Sequence, residues 1–212
     1  MLLTSLDIQF SFRDDVESVY RGLVELLLNT EKDAKPSQEN LKQAIQKIDA
    51  LQLVELENFL RCDLAQIVEI SEIEVDSTAA KVYPMLLPNR LAVVLELPGQ
   101  DKPLAYYEIL KPRQAIEETL QRLRRNLSEP DRTPEAIEGL QEVYQWLIEP
   151  FRSVLESNSQ VKTLVFVLDG ELRNIPMAAL YDGKQYLIKK YVVALAPRLE
   201  LFSPSPRPER LN

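Results

Sequence analysis

Three sets of side chains in this sequence are of types that do chemistry. Asp169 follows the apolar run Leu164-Val165-Phe166-Val167-Leu168 and precedes Gly170, so it is an acid delivered by a strand to a loop. Cys62, the single cysteine, has a thiol that attacks carbonyls when a base or a helix terminus lowers its pKa. Glu69, Glu72, Glu74 and Asp76 alternate in part with Ile70, Ile73 and Val75, and paired carboxylates serve as acid and base where a pocket splits their pKa values. The chain has no histidine, so the commonest general base and the usual partner of a catalytic cysteine are both missing. Each set also has a plain structural reading. Cys62 lies beside Phe59 and Leu60 at the end of an apolar helical face and reads as a small buried hydrophobe. The acids read as a solvated face or an edge strand whose charge discourages pairing with other chains. Asp169-Gly170 reads as a tight turn in which the glycine takes positive φ.

Composition narrows the chemistry further. One cysteine excludes an internal disulfide framework, and without histidine the common zinc sets cannot be assembled; a carboxylate-only magnesium or calcium site stays open but unsupported, and no metal and no cofactor are expected. The net charge of −8 is concentrated at one end: residues 1–78 hold 7 Lys+Arg against 16 Asp+Glu, and residues 79–212 hold 18 against 17. An acidic chain repels phosphate backbones, so nucleic acid is not an expected partner. The one basic concentration, Arg122, Arg124 and Arg125, reads as a solvated helix face. No apolar run reaches the roughly eighteen residues needed to cross a bilayer, and Met1 to Phe10 lacks the pattern of a signal peptide, so no membrane partner and a cytoplasmic location are expected.

The elements that would position these residues follow from periodicity. Val16, Val19, Tyr20, Leu23 and Leu27 recur at helical spacing over Asp14 to Asn29, with Asp14, Asp15 and Glu17 at the positive end of the helix. Leu2 to Phe12 looks extended. Ser37 is the expected N-cap of a second helix carrying Leu41, Ala44, Ile45, Ile48 and Leu51, so residues 1–62 form a helical hairpin. Ile67 to Val75 hints at a strand or an exposed loop. Strands are expected over Val82 to Leu87, Leu91 to Leu97 and Leu104 to Leu110, joined by short turns into an antiparallel meander that is apolar on both faces and needs cover on each side. Pro112 opens one covering helix, with Ile116, Leu120, Leu123 and Leu127 in register. Thr133 caps another, whose apolar stripe runs from Ile137 to Leu155 and is divided by Pro150. A buried strand at Leu164 to Leu168, the Asp169 loop and a strand pair through Tyr186 to Ile188 and Tyr191 to Leu195 complete the unit. Beyond Ser203 a disordered tail is expected.

The run from Leu164 to Pro197 resembles the opening signature of the CHAT domain, a caspase-like peptidase module often found behind tetratricopeptide repeats. The likeness lies in the apolar strand, Asp169-Gly170, Leu172-Arg173, Ile175-Pro176, Ala178-Ala179-Leu180, Tyr186-Leu187-Ile188 and Ala196-Pro197. Tyr83-Pro84, Leu87-Pro88-Asn89-Arg90-Leu91, the helix Leu140 to Phe151 and the lead-in Asp15 to Leu28 are similar to the same family, so the likeness takes in nearly the whole chain. One departure is Arg198, where the family has a small residue. A strand ending in Asp-Gly also resembles haloacid dehalogenase phosphatases, but their nucleophile position falls on Val167, which cannot do that work.

The CHAT resemblance implies an α/β fold: a helical hairpin over 1–62, the leading half of a caspase-like helix-flanked sheet over 79–202, and a tail over 203–212. It implies a histidine and cysteine that come after the segment present, so no catalytic residue is assigned. Asp169, Gly170, Arg173 and Pro176 are then structural motif residues. The expected partners are proteins, above all a C-terminal catalytic half that this part would scaffold or regulate. The alternatives are an interaction module with an acidic docking hairpin and a hydrolase using Asp169.

Overall fold

The computed structural model describes residues 5–30, 35–60, 78–99 and 102–196, without the side chains of 5–15 and 56–60. Helices α1 (Ser5–Leu28) and α2 (Gln38–Leu60) open the chain. They are followed by strands β1 (Ala79–Leu87), β2 (Arg90–Glu96) and β3 (Ala105–Ile109). Helices α3 (Arg113–Ser128), α4 (Thr133–Leu147) and α5 (Arg152–Ser157) then lead to strands β4 (Thr163–Phe166) and β5 (Val192–Leu195). The strands form one mixed sheet in the order β3-β2-β1-β4-β5. The β1-β2-β3 meander is antiparallel, and β1, β4 and β5 run parallel.

The central strands β1, β2 and β4 are buried on both faces, and period-two alternation assigns each side chain its layer. Val82 and Leu86 of β1, Leu91, Val93 and Leu95 of β2, and Leu164 and Phe166 of β4 pack with α3, α4 and α5. Tyr83, Met85 and Leu87 of β1, with Ala92 and Val94 of β2, pack with Val24, Leu28, Leu41, Ala44 and Ile48 of the hairpin. The two layers that cover the sheet are therefore the later helices on one face and the hairpin on the other. The hydrophobic cluster beneath the hairpin joins residues from within 1–62 to residues beyond 79.

Local chemistry explains the element boundaries. The Ser37 hydroxyl accepts the Asn40 N–H at 3.1 Å, the bond expected of an N-cap at the start of α2. Pro112 precedes α3, and Pro150 lies in a 3-10 turn, Glu149–Phe151, that separates α4 from α5. Gly139 lets α4 approach α3 closely, because a Cβ there would lie 2.8 Å from Leu123 Cδ1.

Four expectations need correction. Ser5 to Phe12 is helical, not extended: although Leu6, Ile8, Phe10 and Phe12 alternate with polar residues, no glycine or proline stops α1 from propagating through them. The buried stripe of α1 is Arg21, Val24 and Leu28, whereas Val19 is 69% exposed and Leu23 40%. Thr133 does not cap α4 through its side chain; its Oγ1 donates to the Pro130 carbonyl at 2.8 Å within the preceding 3-10 turn, Pro130–Arg132. Tyr186 to Ile188 does not form a strand pair with Tyr191 to Leu195. Leu187–Lys189 is a 3-10 turn, fixed by the Leu187 N–H bonded to the Leu180 carbonyl at 2.7 Å and by the buried Leu187 side chain, and β5 pairs in parallel with β4.

Candidate functional site

The loop that leaves β4 is built around Asp169. Its backbone is extended, and Gly170 at φ 52° then turns the chain into the 3-10 segment Gly170–Asn174. A side chain at Gly170 would be strained at that φ, and its Cβ would sit 3.0 Å from Leu86 Cδ1. The turn expected from the sequence is present, but the aspartate does more than shape it.

Asp169 is 1% exposed, and both carboxylate oxygens are engaged. Arg21 of α1 donates from Nη1 to Oδ2 at 2.7 Å and from Nη2 to Oδ1 at 2.9 Å, a two-pronged pairing that fixes the relative orientation of both groups. The Leu86 N–H at the end of β1 donates to Oδ2 at 2.8 Å, and Arg21 Nη1 returns to the Leu86 carbonyl at 2.8 Å. One node thus ties α1, β1 and the exit of β4. Arg21 Nε donates to Glu17 Oε1 at 2.6 Å, and that oxygen also accepts from Arg113 Nη1 of α3 at 2.7 Å. Arg113 Nε reaches Glu117 at 2.6 Å. The charges alternate along the chain of contacts.

Burial opposes the charged forms of Arg21 and Glu17, and the partners decide the balance. For Arg21, burial would lower the pKa, but Asp169 and Glu17 outweigh it and raise it above the usual guanidinium value. For Glu17, burial would raise the carboxyl, but the two arginines hold it below the ordinary value.

The hairpin's second helix grips the same segment. Gln52 donates to the Leu168 carbonyl at 3.2 Å, and Arg173 Nε donates to that carbonyl at 3.0 Å. The Arg173 guanidinium then meets Glu55 of α2 at 3.2 Å. Pro176 is exposed, and its carbonyl accepts the Ala179 N–H at 2.8 Å at the start of the turn Met177–Ala179. Further along, Asp182 accepts the N–H groups of Lys184 and Gln185, both at 2.8 Å, and pairs with Lys190 at 3.0 Å.

The geometry sorts the residues singled out by sequence. Asp169, Gly170 and Arg173 converge at one site, and Pro176 lies just beyond it. An enclosed carboxylate with both oxygens bonded cannot reach a substrate, so Asp169 is not placed as a nucleophile. Glu17 is committed to two arginines and not held out for docking. Cys62, Glu69, Glu72, Glu74, Asp76 and Arg198 lie outside the described residues, as do the side chains of Asp14 and Asp15. Arg122, Arg124 and Arg125 are exposed on α3. Among the described residues no group of three or more Cys, Asp or Glu is placed to hold a metal ion, and no helix is long and apolar enough to cross a membrane.

Arg21 was not singled out by sequence, although a signal for it existed. It stands seven residues before Leu28 and three before Val24, on the helical stripe that faces the sheet, where an unpaired cation is not tolerated.

A second surface completes the site. Tyr186, Ile188, Val192 and Leu195 are exposed large hydrophobic residues within a single decapeptide, at 40%, 59%, 63% and 57%. Tyr186 and Ile188 also line a cavity of about 450 Å³ with Leu127, Ile137 and Ala179. Among the described residues β5 pairs on one side only, through β4. Val192 and Ala196 donate their N–H groups toward β4, so the backbone groups of Val193 and Leu195 point to the open side.

These features define an α/β protein with a mixed five-stranded sheet flanked by helices, one edge of which is apolar and, among the described residues, unpaired. A family model of the CHAT domain matches residues 138–210, so that part of the chain is similar to the CHAT domain. The match takes in most of α4, the Asp169 loop and β5, whereas the similarities upstream in the hairpin and the meander lie outside it. No curated protein matched the chain.

Proposed function

We propose that this chain is the non-catalytic leading part of a CHAT-type cysteine peptidase, which braces and regulates a catalytic half carried outside these residues. The observation that carries the reading is the edge at β5. An edge strand that is unpaired among the described residues, with Tyr186, Ile188, Val192 and Leu195 exposed in and beside it, offers backbone hydrogen bonds and apolar area together, the combination by which one polypeptide extends the sheet of another. Proteins usually protect such an edge, and an apolar one left open marks a contact surface. The absence of histidine from the sequence supports assigning the chemistry to the other half.

The reading is tested on the gene and on the protein. Sequence past the codon for Asn212 should encode a strand ending in His-Gly and a following strand ending in Cys; a stop codon there would overturn the single-chain form of the proposal. The chain by itself should cleave no member of a peptide-substrate panel. Turnover by the histidine-free chain would overturn the assignment of chemistry elsewhere.

A further inference from the structure

The geometry points to a clamp: the helical hairpin, through Arg21, sets the order of the Gly170–Lys190 connection that leads into β5. Asp169 is buried, and among the described residues its one ion pair is with Arg21, so the native position of the loop depends on α1 being seated. If α1 lifts, the carboxylate keeps only the Leu86 N–H, and an uncompensated buried charge favours a rearranged loop. The hairpin's second helix acts on the same segment through Gln52 on the Leu168 carbonyl and Glu55 on Arg173. Both helices therefore hold the same segment, Leu168 to Arg173. A partner that tilts the hairpin would act on the connection, and through it on the edge strand. The coupling stands on these contacts whether or not β5 docks a catalytic half.

Coupling of this kind is reciprocal: whatever α1 contributes to loop order, the loop contributes to the seating of α1. Hydrogen exchange of the full chain, followed peptide by peptide, reads both directions. Arg21→Met should speed exchange of amides in Gly170–Lys190 by about tenfold, within the usual range for coupled sites. Arg21→Lys, which keeps the charge but loses the fork, gives the same direction in a chain that stays folded. Gly170→Ala, strained in the loop itself, should speed exchange in α1 around Glu17 to Leu28. The control is Arg90→Met, which removes another tether of α1, the bond of Arg90 to Glu25 at 2.8 Å, together with its bond to Glu108 of β3 at 2.8 Å, without touching the loop. It should loosen Gly170–Lys190 much less than the Arg21 variants do. The clamp is overturned if the Arg21 variants loosen α1 alone, or if Arg90→Met loosens the loop as much as they do.

Discussion

Arg21 and Asp169, separated by 148 positions in the chain, form a bidentate ion pair that is almost wholly enclosed, with side chains 3% and 1% exposed. The pair sits where α1, the end of β1 and the exit of β4 meet, and its burial decides how it responds to substitution. Removing one member should cost about 3–5 kcal/mol, because the other is left charged in a site that water does not reach. Removing both should cost much less, since apolar groups of similar size fill the space. Urea unfolding of Arg21→Met, Asp169→Leu and the double variant tests this, and a double variant as unstable as the sum of the singles would show that the two residues are not energetically paired.

The charge of Glu17 gives the fold a pH dependence with a definite sign. Burial would raise its carboxyl, but Arg21 and Arg113 outweigh it and hold the folded-state pKa below the ordinary value. A lowered carboxyl contributes stability that is present above the unfolded pKa of about 4.3 and is lost as pH falls through the folded value. Denaturation midpoints should therefore fall as pH drops below about 4.3. In Glu17→Gln that part of the fall should be absent. An identical acid profile in the variant would mean that other carboxylates carry the dependence.

Asp182 adds a second acid-sensitive anchor. Burial acts to raise its pKa, but the N–H groups of Gln185 and Lys184 with the Lys190 ammonium lower it to about 2. Its stabilising contribution holds above the unfolded value of about 3.9 and disappears as pH falls toward the folded one. Peptides spanning Tyr181–Tyr191 should exchange faster at pH 2 than at pH 5, after correction for intrinsic rates, and Asp182→Asn should remove most of that difference. No difference in the parent chain would show that Asp182 does not anchor the turn.

Much of this architecture was legible in the sequence. The strands of the meander, the Ser37 cap, the division at Pro150 and the positive φ at Gly170 are local decisions, made by turn residues and by runs of apolar side chains. The side of α1 that faces the sheet was not legible. Val19, Leu23 and Leu26 are as apolar as Val24 and Leu28, and the tie is broken by Arg21, whose partner stands far along the chain. The course of Tyr186 to Leu195 was hidden for a similar reason, because its apolar residues anchor a turn and a parallel edge strand, and parallel pairing leaves no hairpin signal. Asp169 was found by its place after a strand, but its role depends on a helix that sequence reading keeps apart from it.

The face of α1 can be checked directly. Leu28→Ala removes a fully buried side chain beneath the hairpin and should cost about 2–5 kcal/mol. Leu26→Lys, at a position 71% exposed, should change stability by no more than about 0.5 kcal/mol. Equal losses at the two positions would return the buried stripe to the side read from sequence.

The proposed role of the β5 edge makes a prediction that separates folding from association. Val192 and Leu195 are 63% and 57% exposed, so lysine at either position should leave the unfolding free energy within about 0.5 kcal/mol of the parent chain. The same substitutions put desolvated charge into any interface that extends the sheet, and interface charges left unpaired cost roughly 2–5 kcal/mol, enough to weaken binding by at least tenfold. Co-purification of the two halves, each expressed as a separate polypeptide from one gene, gives the measurement. Loss of association with unchanged melting of the isolated chain is the expected result. Undiminished association of the Val192→Lys and Leu195→Lys chains would move the docking surface away from β5.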